Sequence, residues 1–384
     1  MIYFDNGATT FPKPRAVINA VSGAMQNYGA NPGRSGHKMS VKASEIMYNC
    51  RQNAAKLFDF DKPENVIFTL NCTHALNTVI KGTLKDGGHA VISSLEHNAV
   101  LRPLEAMKAM GVSYSIAEVC EGGDDKTLDN FRRAIRENTR LVVCTHASNV
   151  FGIRLPVERI GALCRIYNIP FCLDAAQSAG VLPVSLNNSC IDYLCAAGHK
   201  GLYGPMGTGL LIINSEKSPA SLVQGGTGSF SSDREQPELL PDKFESGTPN
   251  LPGIAGLNEG IKFVMSRGVF KIEDSEMRLA QKLYDGLSKN KEVVFYTKRP
   301  QKHTHVPVIS FNLKNRDSEE TAALLSERFN IAVRAGLHCA PLAHEQYGTQ
   351  NSGTVRAVVS AFSTDNQIQS FVNSINKISK KAKK

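Results

Sequence analysis

The chain has 384 residues, 42% of them apolar and 21% charged, with no tryptophan. This is a soluble globular composition, long enough for one large core and a second, smaller unit. The net charge is +9, but the tail KISKKAKK supplies five of the lysines and the body without them stands at +4. The basic excess therefore reads as a solvated terminus, and no aromatic-plus-basic clusters of the single-strand-binding kind accompany it.

No apolar run reaches the length of a membrane span, and the start MIYFDNGATTFPKP lacks a basic region followed by an apolar core and a cleavage site. The expected location is the cytoplasm. Nine cysteines are scattered without a CxxC pair, so neither a zinc pattern nor a disulfide framework is expected. Reduced thiols in a reducing compartment fit this usage.

From about residue 65 short apolar runs alternate with amphipathic ones. Strands are expected at 66–69, 89–93, 112–117, 140–145, 170–174, 191–197 and 209–213, with helices near 73–84, 97–110, 127–137 and 156–168. This alternation predicts a mostly parallel sheet covered on both faces. After about 255 a helical region (256–290) leads to strands near 293–297, 306–312, 331–334 and 354–361. A helix near 318–328 and a final helix complete a smaller α+β unit. The expected division is a large unit, 15–255, and a small one, 256–384, with segment 1–14 packing on the latter.

Chemistry-bearing residues gather just after the strands. Thr73 and His97 open helices; Asp174 ends a strand, and Asn149 and the pair His199–Lys200 follow strands. Such junctions can converge on one rim, where open α/β sheets bind ligands. A helix N-terminus with a threonine suits a phosphate. A buried aspartate suits a protonated ring nitrogen, and a histidine can stack on a flat ring. A lysine of lowered pKa forms a Schiff base with an aldehyde. Phosphate, pyridine and aldehyde together describe pyridoxal 5'-phosphate, the cofactor expected here.

The motifs YFDNGATT, NPGRSGH, SLEHNA, HASNVFG, LDAAQSAG, AGHKGLYGPMG, FESGTPN and RAGLHCAP occur in an order that resembles the cysteine desulfurases of the class-V aminotransferase family. The likeness covers nearly the whole chain. It implies fold type I of the pyridoxal-phosphate enzymes: a large domain with a mostly parallel seven-stranded sheet plus a smaller α+β domain, assembled as a homodimer. It implies Lys200 as the Schiff-base lysine, Asp174 against the pyridine nitrogen and Gln177 against the ring hydroxyl. His97 would stack on the ring and move protons. Thr73, His199 and the position of Cys72 would surround the phosphate, and Thr248 would reach the phosphate of the other subunit. Asn149 and Arg356 would bind the substrate carboxylate, with His37 and Arg334 at the pocket rim. Two positions depart from many relatives: Ala197 stands where a serine precedes the GHK glycine, and Cys72 where a second threonine precedes Thr73.

Cys339 is the only cysteine next to a histidine, with Arg334 nearby, a setting that favours thiolate. The RAGLHCAP match implies that it is the nucleophile, taking sulfur from L-cysteine as a persulfide and releasing L-alanine. Cys339 and Arg356 lie close in sequence, as in the Suf-type (group II) desulfurases, whose cysteine arm is stiffer. Those pass sulfur to a dedicated acceptor protein, often towards iron–sulfur cluster assembly. A selenocysteine lyase, a cysteine sulfinate desulfinase or an aminotransferase could occupy the same fold. A non-catalytic binding protein using the basic tail is disfavoured by the intact Lys200, Asp174, His97 and Arg356.

Overall fold

Burial of the central strands on both faces explains the architecture. The structure, a computed structural model, describes residues 1–33 and 36–381; Arg34 and Ser35 of NPGRSGH and the last three tail residues lie outside them. The chain opens with β1 (Ile2–Tyr3), α1 (Arg15–Asn27) and α2 (Lys38–Leu57). It then alternates through β2 (Val66–Thr69), α3 (Cys72–Thr83), β3 (Gly88–Ser93), α4 (Asn98–Met107), β4 (Val112–Ala117) and α5 (Asp124–Ala134). Next come β5 (Thr139–Thr145), α6 (Val157–Ile166), β6 (Phe171–Asp174), β7 (Tyr193–Ala197) and β8 (Gly209–Ile213). Helices α7 (Leu251–Arg267) and α8 (Val269–Ser288) lead to β9 (Val293–Phe295), β10 (Val308–Leu313), α9 (Ser318–Phe329) and β11 (Ile331–Ala332). The chain ends with α10 (Pro341–Gln346), β12 (Val355–Val358) and α11 (Asp365–Lys381).

Strands β2 to β8 form a seven-stranded sheet in the order β2-β8-β7-β6-β5-β3-β4. All pairings are parallel except those of β8, which runs against both neighbours. Side chains of adjacent residues point to opposite faces of a strand. Val142, Cys144, Leu173, Leu194, Ala196 and Leu210 thus face one core, with residues of α2, α6 and α7. Leu141, Val143, Cys172, Tyr193, Cys195 and Leu211 face the other, with α3 and α4. Each fully buried large aliphatic side chain contributes about 1.5–3 kcal/mol.

The smaller unit is a three-stranded antiparallel sheet, β12-β10-β9, covered by α8, α9 and α11 around Phe311, Leu283 and Phe371. The N-terminal segment is tied to this side of the molecule: β1 pairs with β11, and Asp5 bridges Val358. The helical region expected at 256–290 is two helices, broken at Gly268 with φ of 81°. The helix expected at 127–137 starts earlier, at Asp124, because Asp124 and Asp125 in its first turn and Arg132 and Arg133 in its last complement the helix dipole. Among the described residues no helix is long and apolar enough to cross a membrane.

Candidate active site

Register places three parallel strands so that their C-terminal ends lie level. Asp174 is opposite Thr145 of β5 on one side and Cys195 of β7 on the other. The N-terminus of α3, the start of α4 and the loop after β7 close over this edge. One cavity results, lined by Asn71, Cys72, Thr73, His97, Asn149, Asp174, Gln177, His199 and Lys200, among others. Every junction residue singled out from the sequence reaches it.

Asp174 is 3% exposed. Its Oδ1 accepts the Ala176 N–H at 2.8 Å and the Cys72 thiol at 3.4 Å. Burial raises the Asp174 carboxyl, and Lys200 opposes this. Burial lowers the Lys200 amine, Asp174 partly restores it, and Arg356 and Arg334 lower it further. A lysine amine held low in a desolvated pocket is suited to nucleophilic and proton-transfer work. His97 caps α4, its Nδ1 accepting the Ala99 N–H at 3.0 Å. Burial, with the charges of Lys200, Arg334 and Arg356, lowers its imidazole to about 4. The ring is therefore neutral at pH 7 and its proton sits on Nε2, the one nitrogen free to act.

At the α3 terminus Asn71 is the cap, accepting from His74 N–H. The N–H groups of Cys72 and Thr73 then carry no hydrogen bond among the described residues. They form an anion-binding end of the cavity, as helix N-termini do. His199 stands beside them with a buried, unpartnered Nδ1. Gln177 donates to Gly7 O at 3.2 Å, bringing the N-terminal segment to the site.

Arg356, on β12, is 1% exposed. It donates to Asn149 O at 2.8 Å and to Asp5 Oδ1 at 3.1 Å, and its Nε is buried without a partner. Two of its five N–H groups are thus engaged, leaving others for a carboxylate. Arg334 pairs with Arg356 backbone to backbone. Cys339 is half-buried, and it and His338 both adopt left-handed backbone, φ 58° and 48°. Its carbonyl accepts the Asn98 N–H at 2.7 Å, directly beside the His97 cap. The His338 carbonyl accepts from Asn149 Nδ2 at 2.7 Å, and the His338 ring meets Thr354 O at 3.0 Å. The cysteine arm is therefore pinned to β12, to α4 and to the loop after β5. Two residues lie elsewhere: His37 is exposed as the cap of α2, and Thr248 lines a separate recess with Phe68, Thr69 and His74.

The family model described as aminotransferase class-V matches residues 2–371. This chain belongs to the class-V aminotransferase family. Members of that family are pyridoxal-phosphate enzymes. The chain is similar to a probable cysteine desulfurase of Methanothermobacter thermautotrophicus, 31% identical over 96% of this chain and 92% of the relative. It is also similar to one of Pyrococcus abyssi, 32% identical over 99% and 94%. Among solved structures it matches the apo cysteine desulfurase of Thermococcus onnurineus, with TM-score 0.91 and 31% identity over 99% of this chain and 94% of that one.

Sequence reasoning missed two carboxyls of this class-V site, one partly and one fully buried. Asp5 is the counter-ion of Arg356. It lies inside YFDNGATT, but its partner is on the last strand, and no local pattern joins them. Glu96, next to His97 in SLEHNA, is fully buried; its Oε1 accepts the Thr145 N–H at 2.8 Å and the Ser93 hydroxyl. Burial pushes its carboxyl up to about 8.

Proposed function

We propose that the protein is a cytoplasmic, pyridoxal-phosphate-dependent cysteine desulfurase. It converts L-cysteine to L-alanine and carries the sulfur away as a persulfide on Cys339. The observation that carries the reading is the pinning of Cys339 to the first residue of α4, beside His97, which lines one cavity with Lys200 and Asp174.

The cavity fits the cofactor. Asp174 keeps Oδ2 without a hydrogen bond among the described residues, and His199 offers an unpartnered nitrogen beside the open α3 terminus. Asp174 would hold the pyridine nitrogen and Gln177 the ring hydroxyl. Thr73, His199 and the N–H groups at Cys72 would hold the phosphate. When bound, the cofactor supplies the electron sink that weakens bonds around the substrate α-carbon.

The chain's own residues do the rest. Arg356, steadied by Asp5, and Asn149 hold the substrate carboxylate, with Arg334 at the rim; a guanidinium suits this because its N–H groups match a carboxylate two at a time. Lys200, its amine lowered by burial, takes and returns the proton at the α-carbon. His97 presents Nε2–H to the reacting atoms. Cys339 Sγ forms an S–S bond with the substrate sulfur as the C–S bond breaks, and the carbon left behind takes a proton. Alanine leaves, and a partner protein then accepts the sulfur.

The reading includes a homodimer, in which the exposed Thr248 of one copy completes the phosphate site of the other. It also includes division into units 15–255 and 256–384, a boundary that falls inside α7, the helix that packs on α1 and α2.

The test is spectroscopic and chemical. The purified protein is expected to absorb near the visible–ultraviolet edge, a band lost in Lys200→Ala, and to form alanine in step with sulfide from L-cysteine. Cys339→Ala is expected to abolish this while sparing selenocysteine cleavage. Full cysteine activity in that variant would sink the persulfide route. A band without alanine would move the substrate to another amino acid.

A further inference from the structure

Lys200 follows a strand of the large sheet and Arg356 lies on a strand of the small one, yet a substrate must meet both. One strut between them is the N-terminal segment. Asp5 holds Arg356, and Thr10 donates to Lys200 O at 3.0 Å. A second strut runs through Tyr203, three residues after Lys200 and 1% exposed. Its N–H donates to Lys200 O at 2.8 Å. Its phenolic oxygen accepts the N–H of Ala361, in the turn after the Arg356 strand, at 2.9 Å. Its O–H donates to Glu276 Oε1 on α8, 3.4 Å away. The ring is enclosed by Phe263 of α7 at 4.9 Å and Phe362 at 5.7 Å. Arg267 lies over both phenylalanines and donates to Ala361 O at 3.0 Å.

Packing alone does not account for this arrangement. A core aromatic needs no hydroxyl, and phenylalanine would fill the same space. Tyr203 also holds a left-handed φ of 55°, which a bulky residue adopts only where its surroundings over-determine it. Glu276 is 3% exposed, and burial pushes its carboxyl up to about 8, so at pH 7 it stays neutral beside the phenol. Lys200, Tyr203 and Glu276 line one narrow cavity together with Val308, Val358 and Ser360. The hydroxyl is thus the point where the lysine loop, the arginine strand and α8 are fastened.

We propose that Tyr203, through its hydroxyl, is a positioning residue that sets the separation of the Lys200 amine and the Arg356 guanidinium, and so places the substrate carboxylate relative to the lysine. The proposal rests on the functional reading above for its kinetic consequence but not for its geometry. Small misplacements near a reacting centre are expensive, since an ångström can cost about a hundredfold. With the first strut intact, Tyr203→Phe is expected to raise KM for L-cysteine about fivefold to tenfold, with kcat changed less than about twofold.

The experiment compares Tyr203→Phe with Glu276→Gln, which keeps an acceptor for the phenol, and with Leu287→Ala, a cavity in the distant small-unit core. Glu276→Gln is expected to keep KM near the native value. Leu287→Ala is expected to lower the melting temperature and leave KM alone. Hydrogen exchange at the Ala361 amide is expected to speed at least about tenfold in Tyr203→Phe alone. Crystal structures of the native and Tyr203→Phe proteins give the Lys200 Nζ to Arg356 Cζ separation directly. An unchanged separation, or a KM that moves no more than in Leu287→Ala, would overturn the proposal. A native protein that does not turn over cysteine would refute the functional reading, while exchange and separation would still decide the role of Tyr203.

Discussion

Glu96→Gln separates the electrostatics of this site from its packing. Glu96 is fully buried and its Oε2 has no hydrogen-bond partner. Its carboxyl moves from an ordinary 4.5 to about 8, first because of burial, against the lowering effect of the Ser93 and Thr145 hydrogen bonds. A raised carboxyl binds its proton more tightly in the folded state. Its contribution is fully present below pH 4.5 and is lost as pH rises towards 8, because the unfolded state gains by ionising and the folded state does not. The slope is about 1.4 kcal/mol per pH unit in that window. Glutamine keeps an oxygen for Ser93 and Thr145 and cannot ionise. The variant is therefore expected to gain on the native protein by under about 1 kcal/mol at pH 5 and by about 3 kcal/mol at pH 7, flattening above pH 8. Denaturant midpoints of both proteins at pH 5, 7 and 8.5 measure the difference. A gap that stays constant with pH would show that Glu96 ionises as easily folded as unfolded, and would refute the argument.

Other consequences follow from particular contacts. Arg356→Lys loses the fork that reaches both Asn149 O and Asp5, so KM for L-cysteine is expected to rise by about one to two orders of magnitude in steady-state assays, with a smaller fall in kcat. Asp5→Ala leaves a buried guanidinium with only a backbone carbonyl. Asp5 is itself about a quarter exposed, so the expected loss is about 2 kcal/mol rather than the larger figure for a fully buried pair, read from thermal unfolding. Gly180 has φ of 80°, and a Cβ there would stand 2.2 Å from Gly201 O, beside the lysine loop. Gly180→Ala is expected to cost about 2–5 kcal/mol and to lower the yield of folded protein.

The large sheet was legible because its information is local. VIFT, VSYSIA and GLLII carry their strand character within themselves, and the residues that follow Leu173 and Ala197 inherit their place from strand ends that lie level. What stayed hidden depends on residues far apart in the chain. Nothing near Asp5 announces Arg356, and nothing near Tyr203 announces Glu276. The helices α1 and α2 were missed although the second carries buried Ala43, Met47, Cys50 and Ala54 at helical spacing. That stripe precedes the first strand and had no alternation to frame it. Cys339 shows the limit from the other side. Its neighbours His338 and Arg334 marked it in the sequence, and the His338 ring does hold the arm, on Thr354 O. Its carbonyl, held by the Asn98 N–H, fixes it further, together with two consecutive left-handed residues. Cys339 is thus placed in large part through its backbone, which leaves little trace in side-chain identity.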